Sequence, residues 1–312
     1  MKKTSNKILL FGNERLATGV HSGASTLQAL LASGYEVAAV VVAQRPGGKS
    51  RRERPLEVAV IAEQHHIPLL APADLNAARP ELAAFGASAA VLIAYGKIVP
   101  RAVLDLFPDG IVNIHPSLLP RHRGSAPIEN TILDGDRQTG VSLMRLSAKM
   151  DTGPLYDQKT VALNGTETKQ HLVDRLSAIG VDMVLEHLPK IIDSTAKPTP
   201  QTGAATYDRL ITKTDGRIDW SKPADRLERE VRAFLEWPKS YTKLGDKEVI
   251  ITGSHAVLVN NPGVKPGDIE ILKEGVLTVQ CGVGYLCIDK LIPAGKQEMS
   301  AAAFLAGYRL NQ

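Results

Sequence analysis

Residues 110–124 read GIVNIHPSLLPRHRG. Ile111, Val112 and Ile114 have the character of the end of a buried strand. Asn113 and His115 interrupt it just before Pro116 and Pro120 stop regular structure. In an open α/β sheet, ligands sit in the crevice beyond the carboxyl ends of the strands, so a polar pair at the tip of an apolar strand points to chemistry there. Asn supplies amide donors and His a nitrogen that titrates, a combination able to polarise a carbonyl and handle a proton. A short downstream partner, Met150-Asp151-Thr152-Gly153-Pro154, offers in Asp151 the carboxylate that would orient or charge the imidazole. Taken alone, the Asn-x-His pair also suits a turn former beside a satisfied core histidine.

Outward from this stretch the chain alternates strands and helices. Lys7 to Phe11 is a short apolar strand, followed by Gly12-Asn13-Glu14-Arg15 and a helical pattern with Leu27, Leu30 and Leu31 that stops at Gly34. Val37 to Val42 is a continuous valine-rich run, the mark of a strand covered on both faces. Strand, helix and buried strand predict a right-handed βαβ unit. The first turn lacks G-x-G-x-x-G and Gly-Lys-Ser/Thr, which excludes a dinucleotide fingerprint and a phosphate P-loop. Leu56 to His65 reads as a helix, Ile67 to Leu70 as a strand, and Leu82 to Phe85 as the end of another helix. Ala89 to Tyr95 is the next buried strand. Gly96 after it either lets a planar ligand approach the backbone or is a turn glycine. Pro100 to Leu106 and the segment from Pro127 to Asp134 are helical, and Gly140 to Leu146 is a strand leading into Asp151. The strands around 93, 113 and 142 are therefore expected to be neighbours whose ends share one crevice. Leu155 to Leu163 continues the sheet, and Thr166 to Ile192 is a long amphipathic helix.

After a Pro- and Thr-rich segment from residue 193 the character changes. A charged helix lies within Ser221 to Phe234, and short strands follow at Val249 to Thr252, Ala256 to Val259, Val276 to Gln280 and Tyr285 to Leu291. Their spacing suggests a small β-barrel. The expected organisation is an α/β domain with a mostly parallel sheet at 1–195, a linker at 196–208 and a C-terminal β domain at 209–312.

Hydrophobic residues make up 44% and charged residues 22% of the 312, which suits a soluble globular protein of two domains. A net charge of +4 fits an anionic substrate or a nucleic-acid partner but falls short of a dedicated nucleic-acid binder. Cys281 and Cys287 lie on an apolar segment and read as buried thiols in a reducing compartment, not as a metal site or a disulfide. His65 and His66 are adjacent and make a poor chelating pair, so no metal is expected. The N-terminal apolar run stops after Phe11, too short for a signal peptide, and no run reaches the roughly 18 residues that cross a bilayer. A cytoplasmic protein without membrane contact is the expectation. Residues 43–55, AQRPGGKSRRERP, carry Arg45, Lys49, Arg51, Arg52 and Arg54 against Glu53. They form either a solvated loop or an arm that neutralises phosphates and makes binding steeply salt-dependent.

The compound phrase Asn-Ile-His-Pro-Ser-Leu-Leu-Pro, Arg121-x-Arg123-Gly124, Ala126-Pro127-Ile128 and Met150-Asp151-Thr152-Gly153 resembles the formyltransferases that use 10-formyltetrahydrofolate. Arg217-Ile-Asp-Trp220, Arg232-Ala-Phe-x-x-Trp237-Pro238, Ser240-Tyr241-Thr242, Pro293-Ala-Gly-Lys296 with Met299, and Gly307-Tyr-Arg309 are similar to the C-terminal domain of the branch acting on Met-tRNA. The resemblance implies a Rossmann-like formyltransferase domain joined to an OB-like tRNA-binding barrel. It further implies 10-formyltetrahydrofolate as formyl donor without a metal, initiator Met-tRNA as acceptor, and a monomer. Carried over by position, Asn113, His115 and Asp151 match the catalytic trio. Ser117, Leu118, Leu119 and Pro120, with Tyr95 and Gly96, match the folate-binding segments, and Arg45, Lys49, Arg51 and Arg52 occupy the place of the arm that enters the acceptor stem. Arg121 and Arg123 are either acceptor-stem contacts or partners that hold the loop, and Trp220 and Trp237 serve packing or base stacking. Formyl transfer to a nucleotide-linked amino sugar and hydrolysis of formyltetrahydrofolate are the neighbouring activities. The first turn, Gly12-Asn13-Glu14-Arg15, and the short arginine-rich arm depart from the family's usual wording, which bears on recognition of the acceptor end more than on formyl chemistry.

Overall fold

The computed structural model of the chain describes residues 6–22, 25–43, 56–259, 263–272 and 275–308. Two compact units emerge. The first comprises Met1–Pro127, Gln138–Ala162 and Gln170–Arg209, the second Ile128–Arg137, Leu163–Lys169 and Leu210–Gln312. Residues 196–208, read from sequence as a linker, thus group with the first unit.

In chain order the elements of the first part are β1 (Lys7–Gly12), α1 (Thr26–Ala32), β2 (Glu36–Val41), α2 (Glu57–Gln64), β3 (Leu69–Leu70), α3 (Arg79–Ala84), β4 (Ala89–Ile93), α4 (Arg101–Leu104) and β5 (Gly110–His115). Then come β6 (Arg123–Gly124), α5 (Pro127–Asp134), β7 (Gln138–Arg145), β8 (Leu155–Ala162), α6 (Lys169–Ile192) and β9 (Tyr207–Asp208). The seven-stranded sheet has the order β3-β2-β1-β4-β5-β7-β8. The first five are parallel; β7 runs antiparallel to both of its neighbours, so β8 points the same way as the first five. Ile8, Leu9, Leu10 and Phe11 are all fully buried, as a strand covered on both faces must be. Ser25 caps α1 by accepting from the Gln28 N–H. Phe11 meets Tyr95 and Phe107 edge-on, with ring centroids 5.6 and 5.9 Å apart.

The strand order reverses between β1 and β4, and this is where such a sheet opens a crevice. Leu92 of β4 pairs with Asn113, which in turn faces Met144 of β7, so the three strands expected to be neighbours are neighbours.

The second unit is built on an antiparallel sheet of β10 (Ser240–Leu244), β11 (Lys247–Val257), β12 (Ile269–Leu272), β13 (Val276–Gln280) and β14 (Tyr285–Pro293), ordered β10-β11-β14-β13-β12, with β15 (Met299–Ser300) on β14. Helix α7 (Ala224–Phe234) buries Ala224, Leu227, Val231 and Phe234, a three-and-four spacing that puts one face on β11 and β14. Val249 to Thr252 and Ala256 to Val259, read as two strands, are one: register shifts around Gly253 bend β11 without breaking it, and Leu258 and Val259 lie beyond its end. The short α8 (Ala301–Gly307), capped by Ser300, has too few residues to announce itself in the sequence. Trp220 packs against the core of this unit and donates through Nε1 to Thr242 Oγ1 at 3.2 Å, the packing arrangement of its two expected roles. No helix among the described residues is long and apolar enough to cross a membrane.

Candidate active site

A cavity of about 390 Å³ opens at the C-terminal ends of β1, β4 and β5. Its wall takes Asn13 and Arg15 from the first turn, residues 94–99 after β4, Asn113 to Pro116 at the end of β5, and residues 146–151. Asn113 and His115 are thereby brought into one wall with Asp151, which lies 38 and 36 residues further along the chain.

His115 is 5% exposed, and its Nε2 lies 2.8 Å from the main-chain oxygen of His122. A carbonyl carries no proton, so Nε2 must hold the hydrogen of that bond. Nδ1 is left outside that bond, and it lies 3.8 Å from Asp151 Oδ1. That separation is an ion-pair distance, longer than a hydrogen bond. The other carboxylate oxygen of Asp151 accepts the Gly124 N–H at 2.8 Å. Asp151 itself sits at φ +49°, a left-handed backbone uncommon for a residue with a side chain. Gln201 holds it there, donating through Nε2 to the carbonyls of Asp151 and Gly153 at 2.9 and 2.8 Å. The turn also requires Gly153, where a Cβ would stand 1.8 Å from the Arg145 carbonyl oxygen. Gly153→Ala is expected to lower the unfolding free energy by about 1–3 kcal/mol, read as a fall in denaturant midpoint at unchanged m-value.

Asn113 is 6% exposed, and its side-chain amide makes no hydrogen bond among the described residues. Its donors are therefore uncommitted on the cavity wall. Tyr95 lines the cavity as well; its hydroxyl is buried without a hydrogen-bond partner among the described residues, and burial pushes the phenol up, keeping it neutral. Gly96 has φ +76° and open space where a Cβ would be, so the turn conformation is what calls for glycine, and the space beside it faces the cavity. Arg15, Lys97 and Lys149, which pair with no carboxylate among the described residues, also line it.

Ser117, Leu118, Leu119 and Pro120, expected at the folate, do not line the cavity. Ser117 is fully buried and donates to the Arg121 carbonyl at 2.7 Å. The Ser142 hydroxyl donates to the Ser117 carbonyl and accepts from the Leu119 N–H. Gln158 donates to the Leu119 carbonyl at 2.9 Å, and the Pro120 carbonyl accepts from the Thr206 N–H at 3.2 Å. The Leu118 side chain packs over Gly140. The polar groups of this segment are spent on building the loop behind the wall. Arg123 has the contacts of a loop-holding residue: it donates to Gln201 Oε1 at 2.6 Å and to the Tyr207 hydroxyl at 2.8 Å. The Arg121 guanidinium lies 3.4 Å from His122 Nε2. Arg45, Lys49, Arg51 and Arg52 lie outside the described residues.

Sequence reasoning missed Ser142, Gln158, Gln201, Thr206 and Asp208. The first two are polar residues facing each other across β7 and β8, a signal visible only once the pairing of those strands is known.

Comparison with known proteins follows the division of the chain. A family model described as "Formyl transferase" matches residues 10–188, and one described as "Formyl transferase, C-terminal domain" matches residues 210–309. The methionyl-tRNA formyltransferase of Ruegeria pomeroyi is 38% identical over 285 residues, covering 90% of this chain and 92% of that protein. Other relatives with the same name match at 36–40% identity. The crystal structure of HypX from Aquifex aeolicus in complex with tetrahydrofolic acid superposes with a TM-score of 0.61 at 19% identity, over 96% of this chain and 46% of that one, so this chain spans about half of HypX. WlaRD, a sugar 3N-formyl transferase, superposes with a TM-score of 0.64 at 18% identity over 93% of this chain and 98% of that one. At those identities the two structures establish a shared fold.

Proposed function

The chain belongs to the formyltransferase family, and from that premise we propose that it moves the formyl group of 10-formyltetrahydrofolate onto the free α-amine of initiator methionyl-tRNA, preparing it for translation initiation. The observation that carries the acceptor is the match, across both units, to relatives named methionyl-tRNA formyltransferase. The cavity lining supports a folate donor: apolar Leu92, Ile98, Val99 and Leu146 share its wall with the Asn113 amide and the Tyr95 hydroxyl, which has no partner among the described residues.

Bound folate supplies the electrophile, a formyl carbon carried on N10. As the amine nitrogen attacks that carbon, the C=O electron pair moves to oxygen, and the uncommitted Asn113 N–H donates to the growing charge. A proton on His115 Nδ1 makes a second donor beside the Asp151 carboxylate, whose Oδ1 is free of the Gly124 bond and placed to take the amine proton. The C–N10 bond breaks as His115 and Asp151 pass a proton on to N10. One N–C bond replaces another and one proton crosses between the two nitrogens, so no redox partner enters. The first unit is the catalytic domain in this reading and the second the tRNA-binding one.

The test is transfer of labelled formyl from 10-formyltetrahydrofolate to charged initiator Met-tRNA, elongator Met-tRNA and a nucleotide-linked amino sugar. Label on the sugar and none on either tRNA overturns the acceptor, and release of formate without any amine marks a hydrolase. For the basic loop, Arg51→Ala with Arg52→Ala is expected to raise the tRNA KM and to flatten the slope of log KM against log salt by about one to two units, with KM for folate unchanged.

A further inference from the structure

On the Nε2 side of His115 lies a second histidine–carboxylate pair, buried deeper than the first. His122 is 3% exposed, and its Nδ1 sits 3.0 and 3.3 Å from the two carboxylate oxygens of Asp208, itself 8% exposed. Its main-chain N–H donates to Thr206 Oγ1 at 2.7 Å. A guanidinium can only donate, so the Arg121 contact at His122 Nε2 goes with a proton on Nδ1 directed at Asp208. The backbone of His122 is left-handed, φ +56°, a conformation that persists only where the surroundings impose it. What that backbone aims is its carbonyl, and the carbonyl takes the Nε2 proton of His115 at 2.8 Å.

We propose that His122 and Asp208 are a positioning pair for His115: Asp208 orients His122, and His122 presents the carbonyl that fixes the Nε2–H tautomer of His115 and leaves Nδ1 to exchange the proton with Asp151. The consequence for catalysis rests on the role given above to His115. Three features favour positioning over packing. A buried charge bonded to a buried ring is a costly way to fill space, and apolar residues of similar volume do it better. The pair has direction, since each hydrogen bond sets the angle of the next group in the series Asp208, His122, His115. The supporting segment is registered against the loop: Arg123 and Gly124 pair with Tyr207 and Asp208, and a Cβ at Gly124, where φ is +119°, would stand 2.3 Å from the Asp208 carbonyl oxygen. A stretch read as linker from its composition therefore reaches, through one side chain and one carbonyl, the ring that handles the proton.

The experiment compares Asp208→Leu, which keeps the branched shape and loses the acceptor, with Asp208→Asn, whose amide oxygen still accepts from His122 Nδ1. Steady-state kinetics is read beside the ring ¹⁵N signals of His115 in the full ligand-free chain at alkaline pH, assigned by difference from His115→Gln. D208L is expected to lose about 100-fold in kcat with KM for folate within about twofold of the parent, and to show His115 as a mixture of tautomers. D208N is expected to recover most of kcat and the single Nε2–H tautomer. A packing role predicts instead that the His115 tautomer is the same in D208L and D208N, whatever the kinetics. Native kcat in D208L, or a His115 tautomer unchanged there, overturns the proposal. Should D208L fail to fold, Thr206→Val removes the acceptor for the His122 N–H at equal volume and carries the same two predictions. The NMR arm separates the claims: if D208L shifts the tautomer while H115Q turns over normally, the pair stands and the role of His115 falls.

Discussion

Asn113→Ala and His115→Gln are each expected to lower kcat for formyl transfer by about 10²- to 10³-fold, with KM for both substrates nearly unchanged. The reason lies in what the two side chains do before substrate arrives. The Asn113 amide has no partner among the described residues, so its removal breaks no bond in the resting protein and withdraws a donor only when the formyl oxygen gains charge. Glutamine at 115 can still send an N–H to the His122 carbonyl, which keeps the loop in place while deleting the nitrogen that takes and returns a proton. Because both groups serve one oxyanion in the proposed mechanism, the double variant should lose less than the product of the two single losses. Each protein should unfold near the parent's midpoint. A loss confined to KM in Asn113→Ala would move that residue from transition-state stabilisation to substrate binding.

These losses concern residues whose placement was legible in the sequence, and the physical reason is local. Asn113 and His115 are polar residues at the tip of an otherwise apolar strand, and β5 is buried on both faces and ends at a crevice, as that pattern suggested. The apolar runs of β1, β2 and β4 carried the same information, so the parallel half of the sheet followed from composition. The direction of β7 and β8 did not. Alternation and apolarity are the same read forwards or backwards, and only the pairing of His115 with Ser142 and of Ser142 with Gln158 shows these strands running antiparallel. The segment Ser117 to Pro120 illustrates a second limit. Resemblance placed it at the folate, and the partners of its polar groups, Ser142, Gln158 and Thr206, lie 23 to 86 residues away in sequence, where no local pattern announces them. His122 and Gln201 were hidden by their settings, one between two arginines and the other in a Pro- and Thr-rich stretch whose composition suits a tether as well as a buttress. Composition reports whether a segment can bury itself, and says little about a single amide reaching into a neighbouring turn.

Asp151→Asn should be the most damaging conservative change in the molecule, lowering kcat on the order of 10³- to 10⁴-fold with the fold intact. Both oxygens of the native carboxylate have assignments that an amide cannot share. Oδ2 accepts the Gly124 N–H at 2.8 Å, so the asparagine oxygen must take that place and its NH₂ group must turn to His115 Nδ1. There the amide donates into the lone pair that has to receive a proton. Nε2 is already committed as a donor to the His122 carbonyl, and the ring has no other site left. The variant thus holds His115 neutral, removes its Nδ1–H from the oxyanion, and deletes the oxygen placed to accept the amine proton. Three losses follow from one isosteric atom exchange, while Gln201 continues to hold the left-handed turn through main-chain carbonyls that the substitution does not touch. Asp151→Ala should be comparably slow but less stable, since it leaves the Gly124 N–H without its acceptor. The assignment fails if Asp151→Asn turns over within tenfold of the parent, or if its loss is matched by a fall in unfolding midpoint. A large loss at an unchanged midpoint is the signature of a carboxylate that works on protons and charge and not on the shape of the loop.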